Sequence, residues 1–256
     1  MSKFVEKLKS LSKSSAAPIG FHPAVSEVKS PSMLLVVGLD GTQAKEAKIV
    51  ADVNADAGFI LSEDISTQVV KQMIEAAGSI PLGVFVKGMN EKETTELASL
   101  GCDFVVFGIN GAAGILSSRE VGKFLMIEPT LDQGLVRAIN SLEVDGVFVN
   151  TGGNASVAVE HLLVCRRFVE LLEKPIVMML PSLATKEELA SLWQVGVDGV
   201  VAPSGQSSKA LAELKRMIVD LPRGTRGRRA KASVQLPHYG GGVVEEEDEQ
   251  EEEIQP

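Results

Sequence analysis

The most regular feature of the chain is a series of eight short apolar runs separated by longer segments of mixed polarity. Near-continuous apolar runs are typical of parallel strands that are covered on both faces. The predicted strands are Met33–Gly38, Gly58–Leu61, Leu82–Val86, Phe104–Phe107, Phe124–Ile127, Val147–Val149, Ile176–Leu180 and Val200–Ala202. The pattern therefore predicts one parallel sheet.

Helices are predicted between the strands, where apolar residues recur every three or four positions. They span Thr42–Val53, Ser66–Ala77, Glu91–Leu100, Leu131–Ser141, Ser156–Leu172, Lys186–Gln194 and Ser207–Val219. Only the fourth connection, Gly111–Glu120, is weakly helical.

A second repeat shows that the strands come in pairs. An aspartate stands just before each even-numbered strand, whereas the odd-numbered strands follow Pro31, Pro81, Lys123 and Pro175; the aspartates are Asp56, Asp103, Asp145 and Asp198. A two-strand unit repeated four times predicts a closed α/β barrel, the (β/α)₈ or TIM barrel, and not an open doubly wound sheet. We expect the aspartates at the bottom of this barrel, in turns or as caps.

The barrel should occupy residues 33–221, with different segments at either end. In residues 1–32, Phe4, Val5, Leu8 and Leu11 lie at helical spacing among lysines. This short amphipathic helix either closes the bottom or side of the barrel, or lets residues 1–15 contact a membrane surface. Residues 222–256 form a basic, then acidic, segment that we expect to be a disordered tail; its arginines could alternatively contact RNA or acidic lipid.

Composition narrows the class of protein. The chain has 256 residues, 45% of them hydrophobic, which suits one large core. The net charge of −9 comes largely from the tail, and the barrel has no basic face for nucleic acid. Cys102 and Cys165 lie in apolar runs, so we expect buried thiols in a protein of the cytoplasm. We predict no signal peptide and no membrane span.

Candidate chemistry lies at the C-terminal ends of the strands, which form the mouth of such a barrel. Lys87, Glu128 and Asn150 each end an apolar strand, and Asn110 follows the fourth. In an apolar mouth a lysine is desolvated and supported by a nearby carboxylate, which suits acid–base or Schiff-base chemistry. The alternative is a Lys87–Glu128 ion pair that only closes the top of the barrel.

Metal ligation and anion binding are two further possibilities at the mouth. Asp40, Glu63 and Asp64 could bind a magnesium-like cation, but the last two also fit the first turn of a helix. The three histidines are too dispersed for a zinc site, and we predict no metal. The loops after strands six, seven and eight are rich in glycine and hydroxyl groups, which suits either an anion site or simple turns. The candidate anion-binding residues are Thr151, Gly152, Gly153, Ser182, Ser204, Gly205 and Gln206.

The segment Pro175–Val201 resembles strands seven and eight of the phosphate-binding TIM barrels, which include ribulose-phosphate-binding and FMN-dependent enzymes. Lys87, Glu128 and Asn150 stand where indole-3-glycerol phosphate synthase has its catalytic lysine, glutamate and asparagine, and Ser182 stands where it has a serine near phosphate. The resemblance implies a lyase or an FMN-linked oxidoreductase, in which the lysine is a general acid and the asparagine orients the substrate.

The sequence departs from this family in the phosphate turns, where Pro181, Leu183 and Pro203 replace glycine-rich backbone. Two hypotheses follow. The first is a divergent enzyme that binds a small phosphorylated or carboxylated metabolite, or FMN, with Lys87 and Glu128 as an acid–base pair. The second is a non-catalytic scaffold or ligand-sensing pseudoenzyme that interacts through its termini. The sequence leaves the oligomeric state open.

Overall fold

The structure, a computed structural model, describes residues 2–14, 31–62, 65–88, 91–152 and 156–222. The predicted tail beyond residue 222 and the linker of residues 15–30 lie outside the described residues.

Eight parallel strands form a closed barrel in chain order, and the first strand pairs with the last. The strands are β1 (Leu34–Leu39), β2 (Ala57–Ile60), β3 (Leu82–Val86), β4 (Phe104–Gly108), β5 (Gly122–Ile127), β6 (Gly146–Asn150), β7 (Ile176–Met179) and β8 (Gly199–Ala202). Every predicted strand is present, with ends that differ by at most two residues. The predicted (β/α)₈ fold is confirmed.

Helices cover the outside of the barrel, and one more precedes it. They are α1 (Lys3–Ser14), α2 (Ala44–Asp52), α3 (Thr67–Ala77), α4 (Glu91–Ser99), α5 (Gln133–Ala138), α6 (Val159–Leu171), α7 (Lys186–Val195) and α8 (Ser208–Val219). The fourth connection has only the 3₁₀ helix Ala113–Ser117, as its weak periodicity indicates. The helix predicted over Leu131–Ser141 is shorter in the structure. It begins after Asp132, whose side chain accepts the Gly134 N–H as the N-cap, and the last three predicted residues, Ile139–Ser141, form a 3₁₀ helix.

Phenylalanine side chains fill the inside of the barrel. Phe59, Phe104, Phe124 and Phe148 are each 0% exposed, and their ring centroids lie 5.1–6.4 Å apart where they contact. Gly83 faces the ring of Phe104 so closely that a Cβ there would lie 2.0 Å from a ring carbon. The interior is therefore a packed core and not a channel.

Helix α1 closes the bottom of this core. Phe4, Val5, Leu8 and Leu11 are all buried in the same cluster as the inward-facing strand residues. The ring of Phe4 stacks on Phe104, with 4.7 Å between centroids. The apolar face of α1 therefore packs into the barrel, as the first interpretation of the amphipathic helix predicts. None of the described helices is both long and apolar enough to cross a bilayer.

One of the four repeated aspartates holds α1 in place. The Asp103 carboxylate accepts hydrogen bonds from the backbone N–H groups of Lys3 (2.8 Å) and Phe4 (3.0 Å), and from the Ser2 hydroxyl (2.7 Å). These groups are at the start of α1, where backbone N–H groups have no partner within the helix. Asp103 therefore caps α1 from about a hundred residues away along the chain.

The other three aspartates bind the preceding strand. A side-chain oxygen of each accepts the backbone N–H of a residue at the start of that strand: Leu35 for Asp56, Lys123 for Asp145 and Ile176 for Asp198, at 2.8–3.0 Å. The predicted turn-and-cap role of the aspartates is confirmed.

Removing the Phe4 ring should destabilise the whole barrel. We expect Phe4→Ala to lower the free energy of unfolding by about 3–5 kcal/mol, because a buried aromatic ring leaves a cavity in a packed core. Urea unfolding measures this loss. Glu6→Ala on the exposed face of α1 is the control and should change the free energy by less than about 0.5 kcal/mol; equal effects of the two variants would mean that α1 does not hold the barrel closed.

The two cysteine thiols should be unreactive toward thiol reagents in the folded protein. Burial raises the pKa of both the Cys102 and the Cys165 thiol to about 12, so almost no reactive thiolate is present at pH 8. We expect a thiol-specific reagent to label neither residue until the chain is unfolded in guanidinium chloride, and both afterwards. Rapid labelling of the native protein would show that one of these sites opens.

Candidate functional site

A pocket of about 430 Å³ opens at the C-terminal ends of β3 to β6, and we call it the mouth pocket. Its apolar surface includes Phe85 and Met126, which pack on the inner core. Its polar groups come from four successive strands or the loops directly after them. They are Lys87, Asn110, Glu128, Thr130 and Asn150. The structure thus brings the three predicted catalytic residues together in one pocket.

The two-residue period of a strand explains this convergence. Alternate residues of a strand face the same side. Phe85 is followed two positions later by Lys87, and Met126 is followed by Glu128. Phe148, whose ring is in the inner core, stands in the same relation to Asn150. Each of these polar residues therefore lies on the inward-facing side of its strand, one step beyond the last core residue on that side.

Sequence reasoning missed the apolar part of the pocket. Phe85, Met126 and the 58%-exposed Ile109 line it, and Gly108 leaves an open space because a Cβ there would meet no atom within 4 Å. The two-residue step from the inward-facing Phe124 and Val106 could have identified Met126 and Gly108. Ile109 lies in the loop after β4, and no periodicity points to it.

The exposure of the charged residues differs from the prediction. Lys87 and Glu128 are both exposed at the rim of the pocket, so the expected desolvation of Lys87 is wrong. The alternative of a Lys87–Glu128 ion pair that only closes the top stays a prediction, and both of its side chains are exposed. Asn150 is half-buried, and its Oδ1 accepts the backbone N–H of Gly152 at 3.2 Å. This bond orients the Asn150 amide from within its own loop.

The predicted anion-binding residues are not in the mouth pocket. Gly205 and Gln206 line a second hollow of about 390 Å³ beside α2 and α8, together with Asp40 and Lys45. Thr151, Gly152, Ser182 and Ser204 line neither cavity, and Gly153 lies outside the described residues. Anion binding by these loops stays a prediction.

Side chains already cap the helices that follow β7 and β8. The Thr185 hydroxyl accepts the Glu188 N–H at 3.3 Å, and the Glu188 carboxylate accepts the Thr185 N–H at 2.7 Å. At α8 the Ser207 hydroxyl accepts the Ala210 N–H at 3.3 Å. N–H groups that bind a side chain in this way are not available to a phosphate.

For a metal, the described residues offer no group of three or more His, Cys, Asp or Glu side chains. Of the three carboxylates considered for a cation, Asp40 lines the second hollow, and Glu63 and Asp64 lie outside the described residues. His161 is buried in α6, where its Nδ1 accepts the Ala158 N–H at 2.9 Å.

Comparison with solved structures finds the same barrel in distant proteins. Tryptophan synthase from M. tuberculosis matches with a TM-score of 0.61 over 85% of this chain and 97% of that chain, at 11% identity. A mutant alpha-subunit of tryptophan synthase from Pyrococcus furiosus matches with a TM-score of 0.59 over 73% of this chain and 96% of that one, at 13% identity.

No protein-family model matches the sequence, and no curated protein is significantly similar to it. At such low identity the likeness to tryptophan synthase is one of fold, and it confirms the (β/α)₈ architecture independently of the strand pattern.

The exposure of Lys87 and Glu128 gives a testable expectation for stability. Lys87→Met and Glu128→Gln should each change the free energy of unfolding by less than about 0.5 kcal/mol, because neither side chain is buried. Asp198→Ala is the comparison: this aspartate is 1% exposed and accepts the Ile176 N–H, so its loss should cost at least about 1–3 kcal/mol. A large loss in Lys87→Met, measured by urea unfolding, would instead identify a structural ion pair.

Proposed function

We propose that the protein is a (β/α)₈ enzyme that binds a small anionic metabolite, phosphorylated or carboxylated, in the mouth pocket. Lys87 and Glu128 act as the acid–base pair, and Asn150 orients the substrate. The observation that carries the proposal is the convergence of Lys87, Asn110, Glu128 and Asn150 around one apolar-lined pocket. A concave apolar surface with a few convergent polar groups is the usual form of a small-molecule site.

The pocket's chemistry supports an anion of modest size. Lys87 supplies a positive charge at the rim, where it attracts an anion before binding. Asn110 and Asn150 add amide donors, and Phe85 and Met126 accept the apolar part of the ligand. A carboxylate at Glu128 can take or return a proton in the same space.

The site supports a small metabolite better than it supports FMN. A volume of about 430 Å³ lies near the lower end of the range for ligand pockets. The loops expected to hold a phosphate tail, at Ser182 and Ser204, do not line it. FMN is therefore tested as one ligand among several. The cytoplasm is the proposed compartment because both cysteines are free thiols.

A non-catalytic, ligand-sensing barrel is the second candidate function. The internal caps at Thr185 and Ser207 favour it, because they occupy helix N-termini that could otherwise bind phosphate. A sensor needs the mouth pocket to bind its ligand but does not need Glu128 for chemistry. The two functions therefore differ in turnover and not in binding.

Ligand binding at the mouth is tested by thermal unfolding with small carboxylates, phosphate monoesters and FMN, each added separately. A ligand at a hundred times its Kd stabilises the native state by about 2.7 kcal/mol, which raises the Tm of a protein of this size by roughly 5–10 °C. We expect such a shift for at least one small anion in the wild-type protein, and a much smaller one in Lys87→Met.

Matched variants show whether the shift comes from the mouth pocket. Gly108→Leu should fill the pocket without strain, because a Cβ at this position meets no neighbouring atom, and it should abolish the shift. Lys186→Met removes one exposed positive charge outside the pocket and should leave the shift intact. The proposal fails if no ligand raises the Tm, or if Gly108→Leu responds as the wild type does.

A further inference from the structure

The layer of helices around the barrel is thinnest between β4 and β6. The connection from β4 to β5 has a 3₁₀ helix of five residues where other connections have an α-helix, and α5 has only six residues. A pocket of about 300 Å³ opens beside the loops that lead into β5, β6 and β7. We call it the base pocket, since these loops are at the end of the barrel opposite the mouth.

Three cationic side chains line the base pocket. Arg119 is exposed, Lys174 is half-buried and Lys123 is only 7% exposed. The Lys174 ammonium donates to the backbone carbonyls of Leu142 (3.0 Å) and Val144 (2.8 Å), which hold it in the wall of the pocket. Cations fixed in this way lose little freedom when they bind an anion.

Two carboxylates also line the pocket, and one of them is already engaged. Asp145 accepts the backbone N–H of Lys123 at 3.0 Å and lies 3.9 Å from the Lys9 ammonium. Glu143 is exposed to solvent. Three cations against two carboxylates leave the base pocket with a net positive charge.

A buried hydroxyl in the same pocket has no partner. Ser118 is 6% exposed, and its Oγ makes no hydrogen bond to any described residue. A buried polar atom without a partner costs free energy, and a hydroxyl can reach a nearby acceptor by rotation about one torsion. Burial also lowers the pKa of Lys174, whereas the nearby carboxylates of Asp145 and Glu173 act in the opposite direction.

We propose that the base pocket binds a phosphate group, held by Arg119, Lys123 and Lys174, with the Ser118 hydroxyl as a further donor. The planar guanidinium of Arg119 can contact two phosphate oxygens, and the ammonium groups act as point charges. The bound group bridges the loops before β5, β6 and β7, where the helix layer is thin. This site is separate from the mouth pocket and stands or falls independently of the proposed function.

Isothermal titration calorimetry of the full chain with inorganic phosphate, at constant ionic strength, tests the proposal. We expect saturable binding that is about tenfold weaker or more in Arg119→Gln, because a hydrogen bond between charged groups is lost. Arg119 is exposed, so this variant should fold normally. Lys186→Met removes an exposed positive charge that lines neither the mouth pocket nor the base pocket, and it should bind inorganic phosphate as the wild type does.

Ser118→Ala gives a sharper result, because binding and stability should change in opposite directions. Without ligand its Tm should equal or exceed that of the wild type, since an unpartnered hydroxyl is removed. Its affinity for phosphate should nevertheless fall several-fold. A serine with a purely structural role would lower the Tm and leave the affinity unchanged.

A second titration with glycerol phosphate identifies the source of the phosphate group. Tighter binding of inorganic phosphate supports the free ion as the occupant, and tighter binding of the monoester supports a phosphorylated metabolite. The proposal is overturned if neither ligand binds saturably, or if Arg119→Gln binds both ligands as the wild type does.

Discussion

Packing of aromatic rings inside the barrel is the constraint on which the rest of this structure depends. Phe59, Phe104, Phe124 and Phe148 fill the lumen, and Phe4 of α1 seals it from below. Since no channel runs through the core, a ligand can bind only above it or outside it. The mouth pocket lies directly on the top layer of this core, where Phe85 and Met126 give it a firm apolar surface.

The repeated aspartates stabilise the bottom of the barrel, at the end opposite the mouth pocket. Three of them tie the start of an even strand to the start of the odd strand before it, and Asp103 uses its carboxylate to cap α1 instead. This departure from the repeat fixes the start of α1 to the bottom of the barrel. The aspartates at the bottom accept hydrogen bonds from backbone N–H groups, whereas Lys87 and Glu128 at the mouth are exposed to solvent. The base pocket is also at the bottom, but it opens to solvent beside the two shortest helical connections, Ala113–Ser117 and α5.

A shared barrel fold does not by itself fix the function of the loops after β7 and β8. The sequence there resembles phosphate-binding barrels, and the barrel itself matches tryptophan synthase in shape. Yet Thr185 and Ser207 cap the helices, and Gly205 and Gln206 face a hollow beside α2 and α8. The proposed chemistry rests for this reason on the mouth residues of β3 to β6.

Local periodicity by itself determined the strands, most helices, the bottom position of the aspartates and the direction in which Lys87, Glu128 and Asn150 point. These features depend on neighbours two to four positions away along the chain. Tertiary structure alone decided that Lys87 and Glu128 are exposed, that Gly205 and Gln206 belong to a different cavity, and that Asp103 caps α1. The burial of a side chain, the residues that share a cavity and a long-range helix cap all depend on contacts between segments far apart in sequence. These contacts form only when the barrel closes, so a local sequence pattern cannot predict them.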